Sequence, residues 1–318
     1  PYQPSDRRFL EPLYIDVTRL PGLADAPEAR RLLGQGAARF AALSSLGHVD
    51  YPAVWAAKRA VLAAGFRALE ERPAADPLRG RFERFAAEGG RALDRFATFE
   101  AISAAHPHAP WTAWPEELRD PAHLAVAEFA ARHGGELRFA KYLQWIADRQ
   151  LGDAARAAHS GGLAIGFYRD LAVGAAPDGA EAWATQETLA KGVSTGAPPD
   201  PFCAAGQVWN LPPPVPGALS AEGYAGFRAL VAANARHAGA LRIDHVMGLS
   251  RLFWVPEGAA GTEGAYVHYP FEDLLAALAL ESRRAGCLIV GEDLGTVPEG
   301  FRERLAEADV LSYRVLWF

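Results

Sequence analysis

The sequence predicts an α/β fold, because two different hydrophobic patterns meet near residue 160. Before that point the apolar residues recur at helical spacing, prolines separate the segments, and no run has the pattern of a strand. After it, short apolar runs alternate with helical stretches, which is typical of parallel strands joined by crossover helices. We therefore expect a mainly helical subdomain over residues 1–160 and βα units over residues 161–318.

The first part of the chain is predicted to fold as helices. The helical pattern covers four stretches, at residues 27–33, 51–71, 77–105 and 121–156. Three tryptophans, Trp111, Trp114 and Trp145, lie in or beside these stretches. Because tryptophan usually buries its large ring, we expect them to pack within this scaffold rather than to stack on a ligand.

The second part is predicted to contain four strands with helices between them. The strands are expected at residues 163–168, 240–243, 287–290 and 311–316, and the helices at residues 221–238, 271–285 and 298–308. Residues 174–219 contain eight prolines and are interpreted as a loop. A proline-rich segment of this length favours a stiff wall beside a binding groove.

Two acidic residues follow two of the predicted strands. Asp244 comes after the apolar run 240–243, and Glu292 after the run that ends at Gly291. The carboxyl ends of neighbouring parallel strands meet at one edge of a sheet, where α/β enzymes place their chemistry. Two carboxyl groups at that edge, about 5 Å apart, are the nucleophile and acid/base pair of retaining glycoside chemistry. The pair therefore indicates a carbohydrate-active enzyme.

Arg242 is expected to point to the same face as Asp244, because side chains two apart on a strand share a face. A guanidinium there favours the ionised carboxylate and fixes its rotamer, as a carboxylate nucleophile needs. Glu292, as a general acid, would need the opposite environment, with apolar surroundings and a nearby negative charge. The alternative is structural: Arg242 and Asp244 as a simple ion pair, and the Glu292 loop as a turn with a helix cap.

Two segments that carry these residues resemble the signature sequences of the 4-α-glucanotransferases, or amylomaltases, of the α-amylase superfamily. They are residues 242–248, Arg-Ile-Asp-His-Val-Met-Gly, and residues 291–298, Gly-Glu-Asp-Leu-Gly-Thr-Val-Pro. Residues 1–5, 165–174 and 197–202 agree with the same family. The chain departs from the family pattern at Asn210, where glycine is frequent, and at Glu11, where asparagine is common.

The resemblance implies a (β/α)₈ barrel that breaks an α-1,4-glucan and passes a covalently held segment to another sugar. It implies that Asp244 is the nucleophile, Glu292 the acid/base and Arg242 the residue that orients the nucleophile. Residues 1–160 would then contain a helical insertion on the barrel. The four strands predicted here cannot close an eight-stranded barrel. We therefore expect only part of the barrel.

The resemblance also implies a third catalytic Asp, which the family carries in a Thr-His-Asp segment that would come after Phe318. We therefore expect the chain to be an internal piece of a longer protein. Two alternatives remain. An α-glucan hydrolase would share Asp244 and Glu292 but pass the sugar to water, and a piece without the third acid would bind glucan without turning it over.

Candidate substrate contacts lie around the two acids. Trp209 is the ring chosen to stack on glucose, since sugar C–H faces pack on flat apolar rings, and Gln207 beside it is a partner for hydroxyls. The alternative for Trp209 is a ring that anchors its own loop, and for His245 a packing role. The full candidate set is Trp209, Gln207, His245, Trp254, Tyr266, Asp178 and Tyr2.

Composition excludes several other classes of function. A net charge of −6 argues against a nucleic-acid partner, which needs clustered basic residues. No apolar run approaches a membrane span, and Cys203 and Cys287 are too few for a disulfide framework, so a reducing cytoplasm is expected. The histidines lack metal-pair spacing, and the expected reaction needs no metal or other cofactor. The expected partners are an α-1,4-glucan donor and a sugar acceptor.

Overall fold

The computed structural model describes residues 3–201 and 203–316. They divide into two compact units. The helical unit contains residues 10–108 and 120–154, and the sheet unit contains residues 3–9, 109–119 and the described residues from 155 onward. Helices and strands are both present, which confirms the predicted α/β class.

The helices and strands follow one another along the chain with short 3₁₀ turns between some of them. The helices are α1 (Pro27–Ser44), α2 (Tyr51–Glu70), α3 (Pro77–Ala105), α4 (Glu116–Arg119), α5 (Leu124–Arg132), α6 (Gly134–Ser160), α7 (Ala180–Ala184), α8 (Pro216–Ala221), α9 (Ala225–Ala235), α10 (Phe271–Ala285) and α11 (Phe301–Glu307). The strands are β1 (Tyr168–Leu171), β2 (Val193–Ala197), β3 (Gln207–Leu211), β4 (Ala240–Ile243), β5 (Arg251–Pro256), β6 (Ala265–His268), β7 (Leu288–Gly291) and β8 (Leu311–Ser312).

The helical unit has its own apolar core. Asp50 and Asp76 cap α2 and α3, since each carboxylate accepts a backbone N–H of the first turn. Phe82 and Tyr142 are buried, and their rings pack edge to face at 6.2 Å between centroids. Trp145 is buried against Phe82 in the same core, which is the packing role that the sequence predicted.

The sheet unit contains a four-stranded parallel sheet in the order β1-β4-β7-β8. Leu241 and Ile243 of β4 are buried, together with Ile289 of β7. They pack with buried residues of α9 and α10, including Leu230 and Leu278. This core holds the strands in register, so that the residues following them meet at one edge of the sheet.

Several predicted strands and helices have different bounds. β7 begins and ends one residue later than predicted, and α9 is shorter than the predicted helix 221–238. β1 lies at Tyr168–Leu171 rather than at 163–168, because Gly166 adopts a left-handed backbone (φ 79°) that interrupts an extended strand. β8 is limited to Leu311–Ser312. α11 starts at Phe301 instead of Pro298, because Gly300 before it is also left-handed (φ 73°).

The segment 174–219, interpreted from its prolines as a loop, contains regular structure. It holds α7, β2, β3 and the larger part of α8. β2 and β3 join β5 and β6 in an antiparallel sheet of the order β3-β2-β5-β6. Gly196 fits the close approach of β3, since a Cβ there would lie 2.1 Å from the carbonyl oxygen of Gln207. Within the described residues, no helix combines the length and apolar character needed to cross a membrane.

Candidate active site

Asp244 and Glu292 follow neighbouring strands of the parallel sheet. Ile243 is in register with Gly291, so the two acids occupy matching positions one residue beyond β4 and β7. The ladder continues to both, since Asp244 N–H donates to Leu171 O and Glu292 N–H donates to Ile243 O, each at 3.0 Å. The backbone therefore fixes both acids at the same edge of the sheet.

Both acids line one cavity of about 340 Å³. Its other lining residues are Gln3, Val173, Trp209, Leu211 and His245. A second cavity, of about 160 Å³, also touches Asp244 but is lined mainly by apolar side chains, and its charged pair Arg7 and Glu181 is joined in a salt bridge. The larger cavity is the candidate active site, because Asp244 and Glu292 both line it.

Arg242 connects two carboxylates at the end of the sheet. Its Nη1 lies 2.7 Å from Asp170 Oδ1, and its Nη2 lies 2.7 Å from Asp244 Oδ1. The guanidinium also lies 5.4 Å from the centre of the Tyr313 ring. Burial acts to lower the pKa of Arg242, but the two carboxylates outweigh it and raise that pKa above its ordinary value. Arg242 is therefore a fixed positive charge beside Asp244.

The electrostatic balance at Asp244 differs from the one that the sequence predicted. Burial raises the pKa of the Asp244 carboxyl above its ordinary value, although the charge and hydrogen bond of Arg242 act in the opposite direction. The charge of Asp170 adds a smaller upward contribution. The sequence indicated the pairing of Asp244 with Arg242 but not the burial of the carboxyl group. It therefore favoured a lowered pKa for Asp244 instead of a raised one.

Glu292 is held by backbone donors from two segments. Its Oε2 accepts the N–H of His245 at 3.0 Å, and its Oε1 accepts the N–H of Leu294 at 2.8 Å. The N–H of Val246 donates to its carbonyl oxygen at 3.0 Å. The rotamer of Glu292 therefore depends on the positions of residues 245–246 and of the loop after β7.

His245 connects the two acids, because it directly follows Asp244 in the chain and its backbone N–H donates to Glu292. Its backbone is left-handed (φ 51°), which is uncommon for residues other than glycine, although histidine, asparagine and aspartate adopt it more often than most. Its ring meets the Trp209 ring edge to face at 5.2 Å. Burial, with a smaller contribution from the charge of Arg251, lowers the pKa of His245 to about 4. The imidazole is therefore neutral near pH 7 and offers both a donor and an acceptor to the cavity.

The depressed pKa of His245 predicts a pH dependence of stability. Below the ordinary pKa of 6.5 the unfolded state takes up a proton that the folded state resists until about pH 4. The contribution of neutral His245 to the free energy of unfolding is therefore fully present above pH 6.5. It falls as the pH decreases, by about 2 kcal/mol down to about pH 5. His245→Asn, which tolerates the left-handed backbone, should lose less stability over that interval than the parent.

Urea unfolding at pH 7, 6 and 5 would measure this difference, with the protein expressed from its complete coding sequence. His268→Asn is the matched control, because His268 is exposed on β6. The curves of His268→Asn and the parent should run in parallel. Parallel curves for His245→Asn as well would contradict the neutral, buried state of His245.

The other two predicted contacts near the acids form a small network of their own. Trp209 Nε1 donates to Gln207 Oε1 at 3.0 Å, and Gln3 Nε2 donates to the carbonyl oxygen of Trp209 at 3.1 Å. Trp209 is half-buried on the cavity wall, whereas Gln207 is exposed. Trp209 and His245 thus line the cavity together with the two acids. Gln207 contacts Trp209 but is not among the described residues that line the cavity.

Three further predicted contacts lie elsewhere in the sheet unit. They are not among the described residues that line the cavity. Trp254 packs against the core, with its Nε1 donating to Tyr269 Oη at 3.2 Å. One face of Tyr266 is covered by the Arg251 guanidinium, 3.9 Å from the ring centre. Asp178 is exposed in a turn before α7. Tyr2 lies outside the described residues.

Sequence reasoning missed Asp170 and Tyr313, which contact Arg242. Asp170 had a usable signal, because it lies at the end of a strand and pairs in register with Arg242. Tyr313 follows a two-residue strand and carried no comparable pattern. No group of three or more potential metal ligands of the His, Cys, Asp or Glu type occurs within residues 3–201 and 203–316.

Comparison with known families and proteins gives a consistent result. The family described as 4-alpha-glucanotransferase matches the chain over residues 1–318. A 4-alpha-glucanotransferase of Mycobacterium tuberculosis (strain H37Rv) is 43% identical over 318 residues, covering 100% of this chain and 43% of that protein. One of Haemophilus influenzae is 37% identical over 334 residues, covering 100% of this chain and 47% of that protein. The chain spans less than half the length of these curated relatives.

Solved structures show the same likeness. An amylomaltase from Corynebacterium glutamicum superimposes with a TM-score of 0.85 and 34% identity, covering 100% of this chain and 43% of that one. An amylomaltase from Streptococcus agalactiae, solved in complex with acarbose, gives a TM-score of 0.76 and 19% identity, covering 97% and 61%. At that lower identity the second likeness concerns the fold alone.

Proposed function

We propose that the protein, since its chain belongs to the 4-alpha-glucanotransferase family, transfers α-1,4-glucan segments between maltooligosaccharides or starch-like glucans. One observation carries the proposal: Asp244 and Glu292 line the same cavity at the ends of adjacent parallel strands. Two carboxyl groups facing one cavity are the minimum that retaining glycoside chemistry needs.

In the proposed mechanism, Asp244 attacks the anomeric carbon of the donor while Glu292 gives its proton to the glycosidic oxygen. The bond between that carbon and oxygen breaks, the leaving sugar departs, and a glycosyl ester on Asp244 remains. Glu292 then takes the proton of an acceptor 4-hydroxyl, whose oxygen attacks the anomeric carbon. The bond from that carbon to Asp244 breaks, and the Asp244 carboxylate is released. No metal or redox step is needed for this exchange.

The surrounding residues take supporting roles in this proposal. Arg242 orients Asp244 through the contact of 2.7 Å, and neutral His245 and the ring of Trp209 bound the sugar site. Gln207 fixes the indole of Trp209 by the hydrogen bond between them. Trp254, Tyr266 and Asp178 stay candidates for subsites more distant from the two acids.

We extend the proposal to the architecture and the location. The parallel order β1-β4-β7-β8, with helices between successive strands, supports an interpretation as part of a (β/α)₈ barrel. Cys203 and Cys287 are both free thiols, which suits a reducing cytoplasm.

Disproportionation of maltotriose by the protein expressed from its complete coding sequence tests the function. Transfer of a maltosyl unit turns two maltotriose molecules into glucose and maltopentaose, so the number of reducing ends stays constant. We expect longer oligosaccharides together with glucose in chromatography, at an unchanged reducing-end count. Shortening alone with a rising reducing-end count would show an α-glucan hydrolase, and no change in either would contradict both activities.

A further inference from the structure

The loop after β7 carries part of the Glu292 support and lies mostly in solvent. Leu294, whose N–H donates to Glu292 Oε1, is exposed, as are the next two residues, Gly295 and Thr296. Gly295 has a left-handed backbone (φ 86°), which bends the chain at this position. The position of the Leu294 donor therefore depends on what holds this short loop.

Arg251, the first residue of β5, reaches this loop. Its Nη2 donates to the carbonyl oxygen of Thr296 at 3.2 Å. This contact comes two residues after Leu294 in the chain. Arg251 thus joins the antiparallel sheet to the segment that supports one oxygen of Glu292.

The guanidinium of Arg251 packs on an aromatic ring. It lies over the Tyr266 ring at 3.9 Å, within the distance of a cation–π contact. Its backbone is fixed in β5, where Arg251 pairs with His268. Its Nε is buried with no hydrogen-bond partner among the described residues, which is a cost to stability. Arg251 therefore has a buried, unpaired Nε and a side chain fixed by its contacts. Such a side chain is suited to holding a neighbouring group in position.

We infer that Arg251 is a positioning residue for Glu292, acting through Thr296 and the loop after β7. The inference rests on the proposed function, in which Glu292 protonates the leaving group. Arg251 touches neither the sugar nor the reacting atoms in this scheme. Asp293, on the other side of Leu294, is buried and held by Arg302 and Ser312, so the Arg251 contact acts on residues 294–296 alone. Loss of Arg251 lets these exposed residues shift, moves the Leu294 donor, and leaves the Glu292 carboxyl less well aimed at the glycosidic oxygen.

The reaction of two donors separates this role from a general structural one. Maltotriose needs a proton on its leaving oxygen, whereas fluoride leaves α-maltosyl fluoride with little help from an acid. Arg251→Met should therefore slow the first turnover of maltotriose by roughly tenfold to a hundredfold, and that of the fluoride by less than about threefold. Rapid-quench glucose release and first-turnover fluoride release measure the two rates in the complete protein.

Arg251→Lys covers the case in which Arg251→Met does not fold. Lysine keeps the charge and one donor but loses the planar stack on Tyr266, so the same preference for the fluoride should appear with a smaller amplitude. Arg228→Met is the matched control, because Arg228 pairs with Glu281 between α9 and α10. Its two rates should fall together or not at all.

Glu292→Gln serves as the reference for a missing acid and should show the largest preference for the fluoride. If Glu292→Gln shows that preference and both Arg251 variants slow the two donors equally, or neither, the inference about Arg251 is wrong. If Glu292→Gln lacks the preference, the acid role of Glu292 in the proposed function fails, whatever Arg251 does.

Discussion

Asp244→Asn should reduce transfer by roughly 10⁴-fold or more in the protein expressed from its complete coding sequence. An amide oxygen is too weak a nucleophile to form the glycosyl ester, so both half-reactions are lost. Glu292→Gln should behave differently. With α-maltosyl fluoride it should still form the ester on Asp244, and the ester should accumulate because the base for the acceptor is gone.

Mass spectrometry of the denatured Glu292→Gln protein, followed by peptide mapping, would locate the adduct. We expect it on the peptide that contains Asp244. Asp309→Asn is the matched control, since Asp309 is exposed and its left-handed backbone (φ 57°) suits asparagine equally well. It should keep parent activity. An adduct on any other carboxylate would overturn the assignment of the nucleophile.

The elements that the sequence predicted best are those whose surroundings are local or uniform. β4 and α10 have the predicted bounds, because a mostly apolar, mostly buried run and an amphipathic helix both show their surroundings in the residue pattern of the segment itself. The order of strand, acid, helix, strand, acid was enough to bring Asp244 and Glu292 to one cavity. Parallel topology determined that result without any knowledge of side-chain contacts.

The parts that the sequence did not predict depend on contacts between distant residues. β2 is a short strand of Val, Ser, Thr, Gly and Ala that pairs with β5 about 60 residues later, and the prolines around it favoured a loop. The contact of Arg251 with Thr296 likewise joins two separate elements. The upward shift in the pKa of Asp244 follows from burial, which a sequence does not measure.

Arg242→Lys should reduce transfer by about two orders of magnitude while the protein stays folded. The two nitrogens Nη1 and Nη2 hold Asp170 and Asp244 at the same time, each at 2.7 Å. A single ammonium group cannot span both carboxylates in that geometry, so Asp244 would lose its fixed rotamer. A transfer assay and circular dichroism on the same preparation would measure activity and folding. Near-normal turnover would mean that Arg242 is a structural ion pair.

Arg242→Met separates the charge of Arg242 from its geometry. The charge and hydrogen bond of Arg242 hold down the pKa of Asp244 against burial, so their removal should raise that pKa further. Because the nucleophile must be ionised, the acid limb of the rate profile should move to higher pH in Arg242→Met. Arg242→Lys keeps the charge, so its limb should stay closer to that of the parent although its rate is low. An acid limb at the same pH in all three proteins would show that Arg242 does not influence the titration of Asp244.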